Sequence, residues 1–331
     1  EIDVAAWLSI KREKTGGLIL EGRVYDGMTG KMILGKRYSG SEERLRSMIH
    51  RFSDDIVLQY TGERGIAETR VIFSSTLTGH KELYLMDYDG YNVQRITNDR
   101  SINLSPNWSP DGKWVTYTSY RGGEPSIYTL ELLTGRLWKM IGFKGINISP
   151  AWSPDGSKLS FASSMKGPSQ IYVVTRRGKG LTRLTVDRSD SLSPTWSPTG
   201  KEVAFVSNRG GGPQIYLMKS DGTSVRRLTF EGSYNTSPNW SPDGNAIVFT
   251  CRVEGKLKIC AISPDGQKRA QLSEGAWDDE SPSWSPDGRH IIFSSNRKSR
   301  GDLFMMNADG KEIEQLTFNG AKNNEPAWSP Y

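Results

Sequence analysis

The sequence Pro150-Ala151-Trp152-Ser153-Pro154-Asp155-Gly156 recurs through this chain at a fixed spacing. Six tryptophans lie 44 residues apart with no insertion between them: Trp108, Trp152, Trp196, Trp240, Trp284 and Trp328. Each follows a proline by two positions, and the first five are followed by Ser-Pro-Asp-Gly or Ser-Pro-Thr-Gly. Self-similarity at this period indicates an architecture of stacked repeats.

One repeat predicts four short antiparallel strands. The segment that ends at Trp152 is followed by a Pro-Asp-Gly turn, in which proline presets φ and glycine permits positive φ. Residues 158–163, 170–174 and 181–185 then alternate or are rich in β-branched and aromatic residues, with turn residues between them. Four strands in about 40–45 residues are typical of one blade of a β-propeller.

The two ends of the repeat region together supply the strands of one repeat unit. Residues 70–75, 82–87 and 92–97 match the second, third and fourth strands of a unit, but no Trp-Ser-Pro precedes them. The missing first strand is supplied near Trp328, so five complete units and one split unit make six blades. The predicted fold is therefore mainly β, a six-bladed β-propeller of WD40-like (PD40) repeats with a split closing blade.

The first part of the chain has a different pattern. Residues 18–25 and 31–38 predict a hairpin, and a helix is predicted from Ser41, as N-cap, to Gly62. We assign residues 1–62 to a small α/β domain and residues 63–331 to the propeller. About 60 residues is close to the lower limit for independent folding, so we expect the first domain to be incomplete at its N-terminus.

Composition and charge exclude several classes of protein. No apolar run approaches the ~18 residues that a membrane-spanning helix needs, which argues against direct membrane insertion. The net charge of +6 is spread along the chain with no Lys/Arg block, and the aromatic residues occupy core positions of the repeat. We therefore expect no nucleic-acid partner.

The two cysteines leave two interpretations open. Cys251 and Cys260 flank a turn-like segment and could lie on adjacent strands as a disulfide, which would imply an oxidising compartment. Cys260 also occupies the repeat position of Tyr84, Tyr128, Tyr172, Tyr216 and Phe304. That position favours the other interpretation, two buried free thiols.

Strand alternation divides the turns of the propeller between two faces. The first and third turns of each blade form the turn face, where Pro-Asp-Gly and Asp-Gly recur. The second turns and the connections between blades form the loop face, which varies from blade to blade. Because binding residues concentrate in variable loops on a rigid scaffold, we place the functional surface on the loop face. The candidate partner-binding residues are Arg121, Ile146, Asn147, Ser149, Leu192, Ser193, Arg209, Asn235, Asp279, Glu280, Arg297 and Glu325.

Catalytic patterns are weak in this sequence. The three histidines, His50, His80 and His290, fall in different domains or blades, and no G-x-S-x-G elbow occurs. The acidic run 278–280 could help to hold a cation or could be a solvated loop. We therefore expect a protein that is not an enzyme, with no catalytic residues and no metal site.

The chain resembles the TolB family, the periplasmic components of the Tol–Pal system of Gram-negative bacteria. The resemblance rests on the Ser-Pro-x-Trp-Ser-Pro-Asp-Gly repeats, on the linker 58–70 and on the terminal residues 326–331. It covers nearly the whole chain. The repeats alone are shared with propellers associated with peptidases, whereas the linker and the terminal residues are more specific.

The resemblance implies a non-enzymatic periplasmic adaptor, monomeric, that supports outer-membrane integrity and envelope constriction in cell division. Such a protein binds the peptidoglycan-associated lipoprotein Pal through the loop face, where the family contacts map to Ile146, Ser149, Leu192 and Ser193. Family members carry histidine at the position of Ile146 and glutamate at that of Ser193. TolA is bound through an N-terminal extension that we expect to be absent here. No cofactor is expected beyond a calcium ion that the channel of such proteins can hold.

Two other classes of function remain as alternatives. One is a gating or regulatory propeller of a peptidase or a carbohydrate-active enzyme, which predicts a convergent His/acid cluster. The other is a propeller that binds peptidoglycan or sugar directly through exposed aromatic side chains, for which Tyr120 and Tyr234 are candidates.

Overall fold

The computed structural model describes residues 3–14, 16–298 and 300–331. The chain divides into two compact units. One takes the residues up to Thr69 together with residues 87–89 and 331, and the other takes residues 70–86 and 90–330.

The first unit is a three-stranded antiparallel sheet with one α-helix. The order is β1-β2-β3, with β1 at Val4–Arg12, β2 at Leu18–Asp26 and β3 at Met32–Gly40. A 3-10 turn at Glu42–Arg44 leads into α1, Leu45–Thr61.

The predicted hairpin is confirmed, and the helical segment begins after Ser41 with Glu42 and Glu43 in its first turn, as predicted. That first turn is a 3-10 turn, α1 itself begins at Leu45, and Ser41 makes no capping hydrogen bond through its side chain. The helix ends at Gly62 in the left-handed conformation (φ 73°), as expected for a glycine at this position. Phe52 of α1 packs where a Cβ on Gly22 would lie, so β2 needs glycine there.

The second unit consists of six four-stranded antiparallel sheets. Sheets 2 and 3 contain β7 (Asn103–Trp108), β8 (Trp114–Ser119), β9 (Ser126–Glu131) and β10 (Leu137–Ile141), then β11 (Asn147–Trp152), β12 (Lys158–Ser163), β13 (Gln170–Thr175) and β14 (Thr182–Arg183). Sheets 4 and 5 contain β15 (Ser191–Trp196), β16 (Glu202–Ser207), β17 (Gln214–Lys219) and β18 (Arg226–Arg227), then β19 (Asn235–Trp240), β20 (Ile247–Val253), β21 (Lys256–Ile262) and β22 (Arg269–Gln271). Sheet 6 contains β23 (Asp279–Trp284), β24 (His290–Ser295), β25 (Asp302–Asn307) and β26 (Glu314–Gln315), and sheet 1 contains β27 (Asn323–Trp328), β4 (Arg70–Ser75), β5 (Glu82–Asp87) and β6 (Gln94–Arg95).

Sheet 1 joins the two ends of this unit. β27 pairs with β4 in the register Trp328↔Val71 and Asn323↔Ser75. The prediction that the first strand of the split sheet comes from the region of Trp328 is confirmed. This pairing covers an edge that β4 would otherwise leave free, and free edges invite association with other chains.

Each sheet is held by a cross-strand contact between its two middle strands. In five sheets the contact is an aromatic pair with ring centroids 5.9–6.3 Å apart. The pairs are Phe73–Tyr84, Tyr117–Tyr128, Phe161–Tyr172, Phe205–Tyr216 and Phe293–Phe304. Such pairs stabilise a sheet by about 0.5–1.5 kcal/mol beyond the area that they bury.

Sheet 5 replaces this aromatic pair with a disulfide bond. Phe249 lies opposite Cys260, and Cys260 is bonded to Cys251 with a Cα–Cα distance of 5.9 Å. The interpretation as two free thiols is therefore wrong. The turn between β20 and β21 places the two cysteines diagonally across neighbouring strands, within the separation that a disulfide spans.

The repeated tryptophans link neighbouring sheets. The indole N–H of Trp152 in sheet 3 donates to Thr116 Oγ1 in sheet 2 at 3.0 Å, and that of Trp196 in sheet 4 donates to Ser160 Oγ in sheet 3 at 2.9 Å. Trp108 in sheet 2 donates to the carbonyl of Ala327 in sheet 1 at 3.0 Å. These three indoles thus tie neighbouring sheets together, whereas the buried indole N–H groups of Trp240 and Trp284 have no partner among the described residues.

Candidate partner-binding face

The loop face is built from two kinds of segment in the structure. The first are the turns between the two middle strands of each sheet, such as residues 120–125 and 208–213. The second are the connections from the last strand of one sheet to the first strand of the next, such as residues 142–146 and 184–190. Antiparallel pairing brings both kinds to the same end of the strands.

Large apolar side chains are exposed along the loop face. They include Leu77, Ile102, Phe143, Ile146, Val186, Phe230 and Phe318. Phe230 and Phe318 are more than 70% exposed, at 72% and 77%. Exposed apolar side chains also occur on the turn face, among them Leu133 and Tyr91, so they do not by themselves distinguish the loop face.

A cavity of about 590 Å³ is lined by the first strand of all six sheets. Its wall includes the Ser-Pro pairs of the repeat, and the strand register shifts at each of these pairs. Proline has no N–H to donate to the neighbouring strand, so pairing is interrupted there. The residue before each proline has positive φ, between 48° and 57°: Ser105, Ser149, Ser193, Ser237, Ser281 and Glu325.

Glu325 differs from the five serines at the equivalent repeat position because it carries a carboxylate. Its side chain accepts a hydrogen bond from the backbone N–H of Ser105. Burial raises the pKa of Glu325, against the smaller opposing effects of that hydrogen bond and of Lys81. Burial therefore disfavours the charged form of Glu325 relative to an exposed glutamate.

The cavity wall is a poor match for calcium. Ca²⁺ sites usually combine several carboxylate and carbonyl oxygens. Among the residues that line the cavity, Glu325 alone carries a carboxylate, and it is already engaged with Ser105. No group of three or more His, Cys, Asp or Glu residues that could hold a metal ion occurs within residues 3–14, 16–298 and 300–331.

Three arginines occupy matching positions in alternate sheets. Arg297 forms two hydrogen bonds to the buried carboxylate of Asp279, at 2.9 and 3.0 Å, and its guanidinium lies 4.9 Å from the ring centroid of Phe304. Arg209 donates to Ser207 and Ser191 and lies 5.0 Å from the Tyr216 centroid. Arg121 lies 5.4 Å from the centroid of Tyr128 and stays more exposed. Arg209 and Arg297 thus serve largely to anchor their own turns.

The structure places all twelve candidate residues in the second unit, but in different environments. Ile146 and Arg121 are exposed. Ser149, Ser193 and Glu325 line the cavity, and Leu192, Arg209, Glu280 and Arg297 are half-buried. Asn147, Asn235 and Asp279 are fully buried.

The buried members of the set hold loops in place. Asn147 Nδ2 donates to the carbonyl of Phe143 at 2.6 Å, and Asn235 Nδ2 donates to Gln214 and to the carbonyl of Glu231. Asp279 is the ion-pair partner of Arg297. Their influence on a partner would act through the loops that they position.

Sequence reasoning missed the most exposed apolar residues of the loop face. Val186, Phe230 and Phe318 stand at equivalent repeat positions, each one residue after the threonine that ends a repeat unit. An apolar residue that recurs just outside a strand, in a segment otherwise rich in polar residues, was the available signal. The one α-helix among the described residues falls short of the length and apolar character required to cross a bilayer.

Comparison with known proteins places the propeller sequence in a described family. Residues 58–331 match the family described as the TolB beta propeller domain. The chain belongs to this family. A segment is 46% identical over 145 residues to the Tol-Pal system protein TolB of Desulfosudis oleivorans, covering 41% of this chain and 33% of that protein. Another is 51% identical over 94 residues to TolB of Geobacter sulfurreducens, covering 28% of this chain and 22% of that protein.

The structural match to the TolB family extends further along the chain. The crystal structure of TolB from Acinetobacter baumannii superimposes with a TM-score of 0.88 at 30% identity. That superposition covers 100% of this chain and 84% of the Acinetobacter chain. The matched segments of the two sequence relatives are shorter, a third or less of each relative's length.

Proposed function

We propose that this protein is a non-enzymatic periplasmic adaptor of the Tol–Pal system that binds the lipoprotein Pal through the loop face. The supporting observation is that the chain belongs to the TolB family. The loop face also carries exposed apolar side chains that a partner could cover, Ile146, Phe230 and Phe318 among them. By this proposal the protein contributes to outer-membrane integrity and to envelope constriction in cell division.

The architecture supports this proposal. We take the six four-stranded sheets to be six blades of a propeller that is closed by the pairing of β27 with β4. The first unit is then a separate α/β domain. A closed propeller holds its loops on a rigid frame, so a partner can dock without a large ordering cost. The TolA contact, by this proposal, does not involve the loop face, and no cofactor is needed for docking.

The disulfide supports a periplasmic location. Cys251 and Cys260 are both fully buried and bonded to each other. Structural disulfides form and persist in oxidising compartments, among them the bacterial periplasm.

The test is a titration of the soluble domain of Pal, from the same bacterium, into the purified protein by calorimetry. The variant Ile146→Arg places a charge on an exposed apolar residue of the loop face and should weaken binding at least tenfold. The matched control Leu133→Arg makes the same change on the turn face, at a residue that is 96% exposed, and should bind as the original protein does.

Two outcomes would overturn the proposal. One is the absence of Pal binding by the original, folded protein. The other is equal binding by Ile146→Arg and the original protein. A parallel titration with isolated muropeptides separates Pal binding from direct binding of peptidoglycan, since muropeptide binding without Pal binding would favour a sugar-binding propeller.

A further inference from the structure

A second cavity, of about 630 Å³, lies on the loop face at sheet 6. It is lined by Ala276, Trp277, Asn296, Arg297, Arg300 and Lys322. These residues come from the turn between β24 and β25 and from the two connections that flank sheet 6. The cavity exists because three separate loops of the repeat framework converge there.

The indole of Trp277 is held firmly in this cavity. A Cβ on Gly275 would lie 2.3 Å from the Trp277 ring, so the ring packs directly against the backbone of Gly275. The Arg297 guanidinium lies 5.1 Å from the centroid of the same ring. Lys258 Nζ donates to the carbonyl of Trp277 at 2.5 Å.

Trp277 is also a departure from the repeat. The equivalent positions in the other five connections hold the small residues Ser101, Gly145, Ser189, Ser233 and Ala321. Its indole Nε1 is buried and has no hydrogen-bond partner among the described residues. Because this nitrogen is buried, as are the unpaired indole nitrogens of Trp240 and Trp284, an incoming group would contact the Trp277 ring rather than its N–H.

The side chains around the cavity carry a net positive charge. Asp279 balances Arg297, and Asp278 accepts hydrogen bonds from Leu257 N and Asn296 Nδ2. The side chains of Arg300 and Lys322 are exposed, and neither has an ion-pair partner within residues 3–14, 16–298 and 300–331. A guanidinium and an ammonium are both donors, and a carboxylate is an acceptor that an arginine can bind through two parallel hydrogen bonds.

We propose that this cavity receives an acidic side chain of the protein that docks on the loop face, with Arg300 and Lys322 as its charged partners and the Trp277 ring as part of the cavity wall. This inference rests on the proposed function. It adds a specific charged contact at sheet 6 to the apolar contact that Ile146 would make. Exposed charge contacts of this kind contribute to the orientation of a complex and to its rate of association.

The experiment titrates the soluble domain of Pal into the Arg300→Glu/Lys322→Glu variant at about 50 and 300 mM NaCl. Affinity should fall at least tenfold at low salt, and the gap from the original protein should narrow at high salt because ions screen exposed charges. The neutral variant Arg300→Gln/Lys322→Gln should give a smaller loss in the same direction. Circular dichroism confirms that each variant is folded.

The matched control is Arg177→Glu/Lys179→Glu, which makes the same change in charge at two exposed residues of the turn face. It should bind Pal as the original protein does. If the original protein binds Pal and the cavity variant binds equally well, or loses no more affinity than the control, this inference is wrong while the proposed function stands. If the original protein does not bind Pal, the proposed function itself fails.

A third arm uses vesicles of phosphatidylglycerol and phosphatidylcholine. Loss of vesicle binding in Arg300→Glu/Lys322→Glu with unchanged Pal binding would identify an anionic lipid surface as the ligand and overturn the inference. Loss of Pal binding with no vesicle binding by any variant would support it.

Discussion

At the scale of single residues, the turn after each repeated tryptophan shows how one carboxylate stabilises a tight turn. Asp155 Oδ1 accepts hydrogen bonds from Ser153 Oγ at 2.6 Å and from Ser157 N at 3.1 Å. The hydrogen bond from Ser153, with those from Ser157, lowers the pKa of Asp155 to about 2. Thr199 at the equivalent position makes only longer contacts, 3.2 Å to Ser197 Oγ and 3.4 Å from Lys201 N.

We therefore expect Thr199→Asp to raise the free energy of unfolding by about 1 kcal/mol at pH 7 and Asp155→Thr to lower it by a similar amount. Urea unfolding followed by tryptophan fluorescence measures both. Nine of the ten tryptophans belong to the second unit, so the signal reports on its sheets.

The pH dependence of this effect has a definite sign. The pKa of Asp155 is lower in the folded protein than the value of about 3.9 for a free aspartate, so the carboxylate stabilises the fold fully above about pH 4. The stabilisation is lost as the pH falls toward 2. A difference between Asp155→Thr and the original protein that stayed constant from pH 7 to about pH 2.5 would contradict this account.

At the scale of elements, sheet 5 differs from the other five sheets in how its two middle strands are linked. Its two middle strands are joined by a disulfide, whereas the other five sheets use an aromatic pair. Phe249 keeps its position in sheet 5, so only its partner has changed.

We expect Cys251→Ala/Cys260→Ala to lower the free energy of unfolding by about 2–3 kcal/mol, because the disulfide restricts the unfolded chain. Dithiothreitol should produce a comparable loss in the original protein and none in the variant. A second variant, Cys251→Ser/Cys260→Phe, copies the residues of sheet 6 and should recover part of the loss by restoring an aromatic pair. Equal unfolding midpoints with and without dithiothreitol would show that the disulfide does not stabilise the fold.

Most elements could be predicted from the sequence because the same pattern of turns and strands recurs in six repeats. The Trp-Ser-Pro-Asp-Gly turn and the alternating second and third strands are local patterns, and the structure has them where they were expected. The disulfide was misjudged because an aromatic position suggested core packing, and only strand register shows that Cys251 lies within bonding distance. β1 was not predicted, and its side chains are mostly exposed, which leaves no burial pattern to detect.

At the scale of the whole molecule, the second unit depends on a contact between segments more than 250 residues apart in sequence. Trp328 is 6% exposed and pairs with Val71, and Arg70 N donates to Ser329 Oγ at 3.0 Å. Removal of residues 321–331 should lower the free energy of unfolding by more than about 3 kcal/mol, which is the typical cost of losing one buried tryptophan.

The truncated chain should also aggregate, because β4 becomes an exposed edge. Deletion of Tyr331 alone leaves β27 intact and is the control. Size-exclusion chromatography and thermal unfolding report the two effects. If the truncated chain remained monodisperse with an unchanged unfolding midpoint, β27 could not be the element that completes sheet 1.

The candidate site was harder to predict than the fold because it is assembled at this largest scale. The loop face followed from strand alternation, but the cavity at sheet 6 combines residues 276–277, 296–297, 300 and 322. No local pattern connects these positions. The one signal in the sequence is the tryptophan at position 277, where every other repeat has a small residue.

The pairing of β27 with β4 also dictates an order of events during biosynthesis. As the chain enters the compartment where it folds, β4 emerges before β27, so sheet 1 must wait while the five other sheets emerge and form. Throughout that interval β4 is an unpaired strand, and a chaperone that shields it would be needed until β27 emerges.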